Sequence, residues 1–227
     1  QLVEQTRSAP EQMAAWEFRG LFESLLGRHH QAIHSLETAS ILAPLHPLAA
    51  RCLALEYYAI GRHSLGIDLL VGLAATTQQE SLVRLLSHDL LKRRAHHAAI
   101  DMLFEALDRL GDSAVLWHEL SAALSQVPQR LLDSLTAVGR AIQLEPETAS
   151  YRLTAAALLI RLEQPEQAFE VVSQLSETSI RQLKCPCCLW RLVNLYYWFE
   201  DIPRARICHD HWLGLRRDGH SRWLKVH

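Results

Sequence analysis

Residues that punctuate a chain are scarce here: only 9 glycines and 8 prolines stand in 227 positions. A β-sandwich or barrel needs frequent turn residues between β-branched runs, so the scarcity points away from both. Leu and Ala are abundant instead, and both favour helix. An excess of one charge is also missing, since the net charge is −2 with His neutral. Nucleic-acid binders carry a basic surplus to neutralise phosphates, and no nucleic-acid partner is expected. No apolar run continues without charge to the length of about 20 residues that a membrane span needs. The five cysteines are odd in number and uneven in spacing: Cys52 alone, then Cys185, Cys187, Cys188 and Cys208. That is not the disulfide framework of a secreted domain, and it fits a reducing, cytoplasmic setting. The opening Gln1-Leu2-Val3-Glu4 has neither an initiator Met nor a signal-peptide pattern, and reads as an excised or processed start. A glycine-rich phosphate loop, a nucleophile elbow and a His-Glu-x-x-His run are all absent. The expectation is a chain without catalytic residues or cofactor. Its 49% hydrophobic and 21% charged content is ordinary for a folded domain.

What is present is self-similarity with a period of about 34 residues, the length of two short helices and their turns. In the first copy Trp16, Gly20, Gly27, Ala32, Leu36, Ala39 and Pro44 form a spaced set. The register continues through Leu53, Ala54, Tyr57, Gly61, Gly66 and Leu70, then Leu86, Leu90, Ala99, Leu103 and Ala106. Trp117, Leu120, Leu124, Ala141 and Pro146 mark the fourth copy, with about one extra residue near Pro128. Ala155, Ala156, Leu159, Ala168, Val172 and Leu175 mark the fifth, and Leu192, Tyr196, Ala205 and Trp212 the sixth. Small residues (Ala32, Gly66, Ala99, Ser134, Ala168, Ala205) let paired helix backbones approach. Gly27 and Gly61 supply turn conformations, and Pro44 and Pro146 end second helices. A lone hairpin cannot cover its apolar faces, so successive hairpins must stack.

On these residues the chain resembles the tetratricopeptide repeat family over nearly its whole length. It departs at Arg19, where that pattern has Leu, and at Glu23, where it has an aromatic. The resemblance implies an all-α, right-handed α-α superhelix, a solenoid of about six helical hairpins in one domain. The copies are expected at 13–46, 47–79, 80–113, 114–148, 149–185 and 186–219, with an N-terminal helix or cap at 1–12 and a C-terminal cap or tail at 220–227. It also implies a protein-protein interaction scaffold or adaptor whose first helices line a concave groove. In that register the inward side chains include Arg51, Leu55, Tyr58, Arg84, His88, His118, Trp190, Asn194 and Tyr197. No lysine and asparagine set of the kind that grips a chaperone's C-terminal carboxylate is present. A peptide or partner helix with apolar anchors and some acidic character fits better. Tyr58 and Trp190 could equally complete local packing. The sixth copy is rich in aromatics, Trp190, Tyr196, Tyr197, Trp198, Phe199 and Trp212, with Trp223 beyond. Of these, Tyr196 and Trp212 are expected in the core. Trp190, Tyr197 and Trp198 are candidates for a contact surface; the competing reading is an end cap over which a short C-terminal helix, Ser221 to His227, folds.

The hairpin turns form a second edge. Arg28, His29, His30, Arg62, His63, Lys92, Arg93, Arg94, His96 and His97 make its first half basic, while Glu163, Glu166, Glu200 and Asp201 make the second acidic. Solvated turns are one reading; docking of an acidic partner or head-to-tail self-association is the other. The cysteines give an alternative function, a metal- or redox-responsive module using Cys185, Cys188, Cys208 and His211, whose spacing is that of a four-ligand zinc site. The repeat register opposes it. Along a hairpin that turns near Asp201, Cys188 stands about 20 Å from the turn and Cys208 about 10 Å, so no metal is assigned to that set. A further alternative makes the array the substrate-recruiting part of a larger enzyme.

Overall fold

The computed structural model describes residues 9–217, as thirteen α-helices and one 3₁₀ turn, with no strand among the described residues. The expected C-terminal cap and Trp223 lie outside them, as do residues 1–8 of the expected N-terminal cap.

Two compact units meet at the Gly111–Asp112 step. The first holds three hairpins: α1 (Ala9–Leu25) with α2 (His29–Leu42), α3 (Pro47–Ala59) with α4 (His63–Thr76), and α5 (Glu80–Lys92) with α6 (His96–Leu110). The second also holds three. They are α7 (Ala114–Leu124) with α8 (Leu131–Leu144), α9 (Ala149–Arg161) with α10 (Pro165–Ser173), and α12 (Pro186–Trp198) with α13 (Ile202–Arg217). A six-residue helix, α11 (Glu177–Gln182), intervenes after α10 and packs on α9 and α13. The repeat pattern contains no signal for it. Its Ile180 is nevertheless 1% exposed and joins the core of the second unit.

The small residues stand where the hairpins close. Ala32, Ala99, Ser134, Ala168 and Ala205 are all fully buried. Ser134 adds a hydrogen bond from its hydroxyl to the Ser121 carbonyl, 2.8 Å. Gly66 leaves no room for a side chain: a Cβ there would lie 2.8 Å from the Ala54 carbonyl oxygen and 2.6 Å from the Tyr58 ring.

Five of the six turns are built alike. Gly27, Gly61, Arg94, Glu163 and Glu200 all take positive φ. In each, the next amide reaches back five residues, as in Arg28 N–H to Glu23 carbonyl, 2.9 Å, and Gln164 N–H to Leu159 carbonyl, 2.9 Å. This is the Schellman closure of a helix C-terminus. The fourth turn differs: Pro128–Arg130 forms a 3₁₀ turn where the sequence carries its extra residue. Glycine accepts left-handed backbone readily, whereas a side-chain-bearing residue pays about 1–2 kcal/mol for it. Part of that cost returns as glycine's greater unfolded-state entropy. Glu163→Gly and Glu200→Gly are therefore each expected to stabilise the second unit by about 0.5–1 kcal/mol, read as a higher urea midpoint. An unchanged or lower midpoint would refute the strain argument.

Candidate functional site

The first helices carry a row of buried acids that the repeat pattern does not call for. Glu23, Glu56 and Asp89 stand 33 residues apart, one per hairpin of the first unit, and are 6%, 6% and 4% exposed. A buried carboxylate is stable only when its oxygens are satisfied, and each is. Glu23 accepts from Ser35 at 2.6 Å and Arg19 at 2.8 Å. Burial pushes its pKa up, but the hydrogen bonds from Ser35 and Arg19 outweigh that, leaving it below the usual value. Glu56 reaches back one hairpin to Ser24 at 2.6 Å and to His29 Nδ1 at 2.7 Å. Asp89 likewise reaches back to the Arg51 guanidinium, through Nε and through Nη2 at 3.0 Å. The equal spacing of the three acids was the signal available in the sequence.

This row engages several of the residues expected in the groove, directly or through a neighbour. Arg51 is held by Asp89 and is not a free cation. Arg93 donates to the Asp89 carbonyl at 2.9 Å and lies 5.0 Å over the Tyr58 ring. Tyr58 is wedged among Arg93, His63 and the Gly66 backbone, with its hydroxyl buried. His118 bonds to Thr154 of the next first helix at 2.9 Å and lies 4.9 Å from the Tyr151 ring. Leu55 is half-buried, while Arg84 and His88 are exposed on α5. Of the basic turn residues, His29 and Arg93 are thus engaged by buried acids.

Trp190, Asn194 and Tyr197 behave differently. Their i, i+4, i+7 spacing puts them on one face of α12, and all three are exposed. Trp190 is 45% exposed, Tyr197 54% and the adjoining Trp198 79%. The opposite face of the same helix carries Leu189, Leu192, Val193 and Tyr196, all buried. Tyr196 is fully buried and its hydroxyl donates to the Val172 carbonyl at 2.8 Å. That core fixes the helix and so the direction of the aromatic face. Trp212 supports it from α13, its ring 5.2 Å from that of Trp190. Arg191, also exposed, follows Trp190 and lies one turn before Asn194. A second exposed apolar stripe, Phe18, Phe22 and Leu25, runs along α1 in the first unit. The inferred groove register did not include it.

The cysteines do not gather as the four-ligand spacing would require. Cys208 is fully buried in the core of the second unit, where burial pushes its thiol pKa up to about 12. His211 Nε2 lies 2.8 Å from the Leu183 carbonyl. The thiols that do meet are Cys185, Cys187 and Cys188, all within 4.8 Å of one another. Cys187 was missing from the spacing argument, although the Cys-Pro-Cys-Cys run contains it. Burial raises the Cys185 thiol, but hydrogen bonding with Cys187 and Cys188 pulls it below its usual value; burial lifts Cys188 to about 12.

Among solved structures, one from the functional characterisation of PilF of Pseudomonas aeruginosa matches with a TM-score of 0.52 and 17% identity, covering 95% of each chain. MamA of Desulfovibrio magneticus RS-1, from residue 41 to its end, matches at 0.51 and 15% identity over 72% of this chain and 92% of that one. A crystal structure of MamA protein matches at 0.52 and 17% identity, over 72% and 90%. No protein-family model matches the chain. No curated protein matches it by sequence. The likenesses show the fold, an all-α solenoid of tetratricopeptide-type hairpins. No described helix is long and apolar enough to cross a membrane.

Proposed function

We propose that this chain is a protein-interaction scaffold, without catalytic activity of its own, that takes a peptide or partner helix on the exposed face of α12. The observation that carries the reading is the set Trp190, Tyr197 and Trp198, large aromatics held in solvent on a helix whose other face is locked into the core. Trp and Tyr dominate binding hot spots because they bring large area with few rotatable bonds. Arg191 beside them favours a ligand that places a carboxylate next to its apolar anchors. The free cysteines of the described chain suit a reducing, cytoplasmic setting.

The test is selection of peptides from a displayed random library, followed by titration of the winners. Winners should combine aromatic or aliphatic anchors with acidic residues. Tyr197→Ala with Trp198→Ala should weaken them at least about 30-fold, the effect of losing a hot spot of about 2 kcal/mol. Both side chains are exposed, so an unchanged circular dichroism spectrum separates lost binding from lost folding. Equal binding by the variant would remove the surface from consideration.

A further inference from the structure

Cys185 precedes α12 as its N-cap residue, and Pro186 opens the helix at the position where a missing N–H costs nothing. Cys187 and Cys188 then fall in the first turn. The result is three sulfurs from four consecutive residues, all within 4.8 Å, with Cys185 Sγ and Cys187 Sγ 2.7 Å apart. Cys187 is exposed and the other two are half-buried, so the group opens to solvent on one side.

We propose that Cys185, Cys187 and Cys188 form a trigonal thiolate site for a soft monovalent d¹⁰ cation of the copper(I) class. Three sulfurs bound at about 2.3 Å to one ion, lying in its plane, stand about 4 Å from one another. The cluster already has that size, and side-chain rotation at Cys185 and Cys187 is enough to open their closer pair. The donors are all sulfur. No His, Asp or Glu joins the group among the described residues. Soft thiolate sets select copper(I) or zinc, and structural zinc is almost always four-coordinate. The fourth ligand offered by sequence spacing is missing, because Cys208 is sealed in the core and His211 is turned to the Leu183 carbonyl. A three-coordinate ion therefore fits the geometry better than a four-coordinate one. Uptake is a ligand exchange without electron transfer: the thiols release their protons to solvent, the ion leaves its carrier, and copper stays in the +1 state.

The experiment uses the full chain, reduced and kept anaerobic. Copper(I) is supplied as its acetonitrile complex against a competing copper(I) chelator, with zinc(II) in a parallel arm. One copper(I) per chain should be retained, with thiolate-to-copper charge-transfer absorbance and three sulfur neighbours by X-ray absorption. Cys187→Ser, at an exposed position, should weaken retention at least about 100-fold while leaving the fold intact; loss of a ligand should cost no less than loss of a hydrogen-bond partner that orients one. Cys52→Ala should retain copper fully. Zinc should be held more weakly than copper against the same kind of competition. No copper retained, retention unaffected by Cys187→Ser, or zinc held in preference with four protein ligands would each overturn the assignment. None of these results bears on whether Tyr197 and Trp198 bind peptides.

Discussion

Arg51→Ala is expected to destabilise the first unit by about 3 kcal/mol, because it strips the main counter-charge from a carboxylate that is almost entirely buried. The Asp89 side chain is 5% exposed and that of Arg51 26%. With Arg51 gone, Arg93 remains near the acid, at 3.7 Å, with its shorter hydrogen bond spent on the Asp89 carbonyl. Removing one member of a buried pair typically costs about 3–5 kcal/mol. The lower end applies here, since Arg51 is partly solvated and Arg93 compensates in part. The control is the pair removed together. Arg51→Met with Asp89→Leu should recover much of the loss, since it leaves no orphaned charge. Urea denaturation reads both variants, and hydrogen exchange shows which helices loosen. If Arg51→Ala shifts the midpoint no more than an exposed arginine would, the Arg51–Asp89 link contributes nothing to holding α3 and α5 together.

Tyr196→Ala should be at least as damaging, about 3–5 kcal/mol, and should act on the second unit. The ring is fully buried, packs edge-on to Phe169 with centroids 6.3 Å apart, and belongs to the core that anchors α12. Truncation opens a cavity in a core to which α9, α10, α11, α12 and α13 all contribute. Tyr196→Phe removes only the hydroxyl and its bond to Val172, and should cost about 1 kcal/mol. A large loss for Phe and little more for Ala would place the importance in the hydrogen bond and contradict the packing account. The same substitution should disturb binding by the opposite face of α12, whereas Arg51→Ala should not.

The hairpin architecture was legible because its rules are local. Ala32, Gly66, Ala99, Ala168 and Ala205 are small at the points where backbones cross, and the turn glycines Gly27 and Gly61 adopt the left-handed conformation that the Schellman closure requires. Arg94, Glu163 and Glu200 take the same conformation without glycine, so the turn geometry survives where its sequence signature does not. The short helix α11 was invisible because six residues are too few to show periodicity. The candidate site was legible in part. Register placed Trp190, Asn194 and Tyr197 on one face, and helical spacing alone is enough for that. It could not reveal which polar residues were already engaged. Arg51 finds its partner 38 residues on and His118 finds Thr154 36 residues on. Pairings between neighbouring hairpins depend on side-chain reach that repeat spacing does not encode. The thiol cluster escaped for a related reason. The zinc-type spacing drew attention to Cys208 and His211, while an N-cap followed by the first helical turn brings three adjacent thiols together without either.

The central claim is that an outward aromatic face on a core-anchored helix receives another polypeptide. Hydrogen exchange of the full chain, with and without a library-selected peptide at saturating concentration, addresses it directly. The account predicts slower exchange across Pro186–Trp198 when peptide is bound, with α3, Pro47–Ala59, unchanged. Protection confined to helices of the first unit, with α12 exchanging as it does in the free protein, would contradict it.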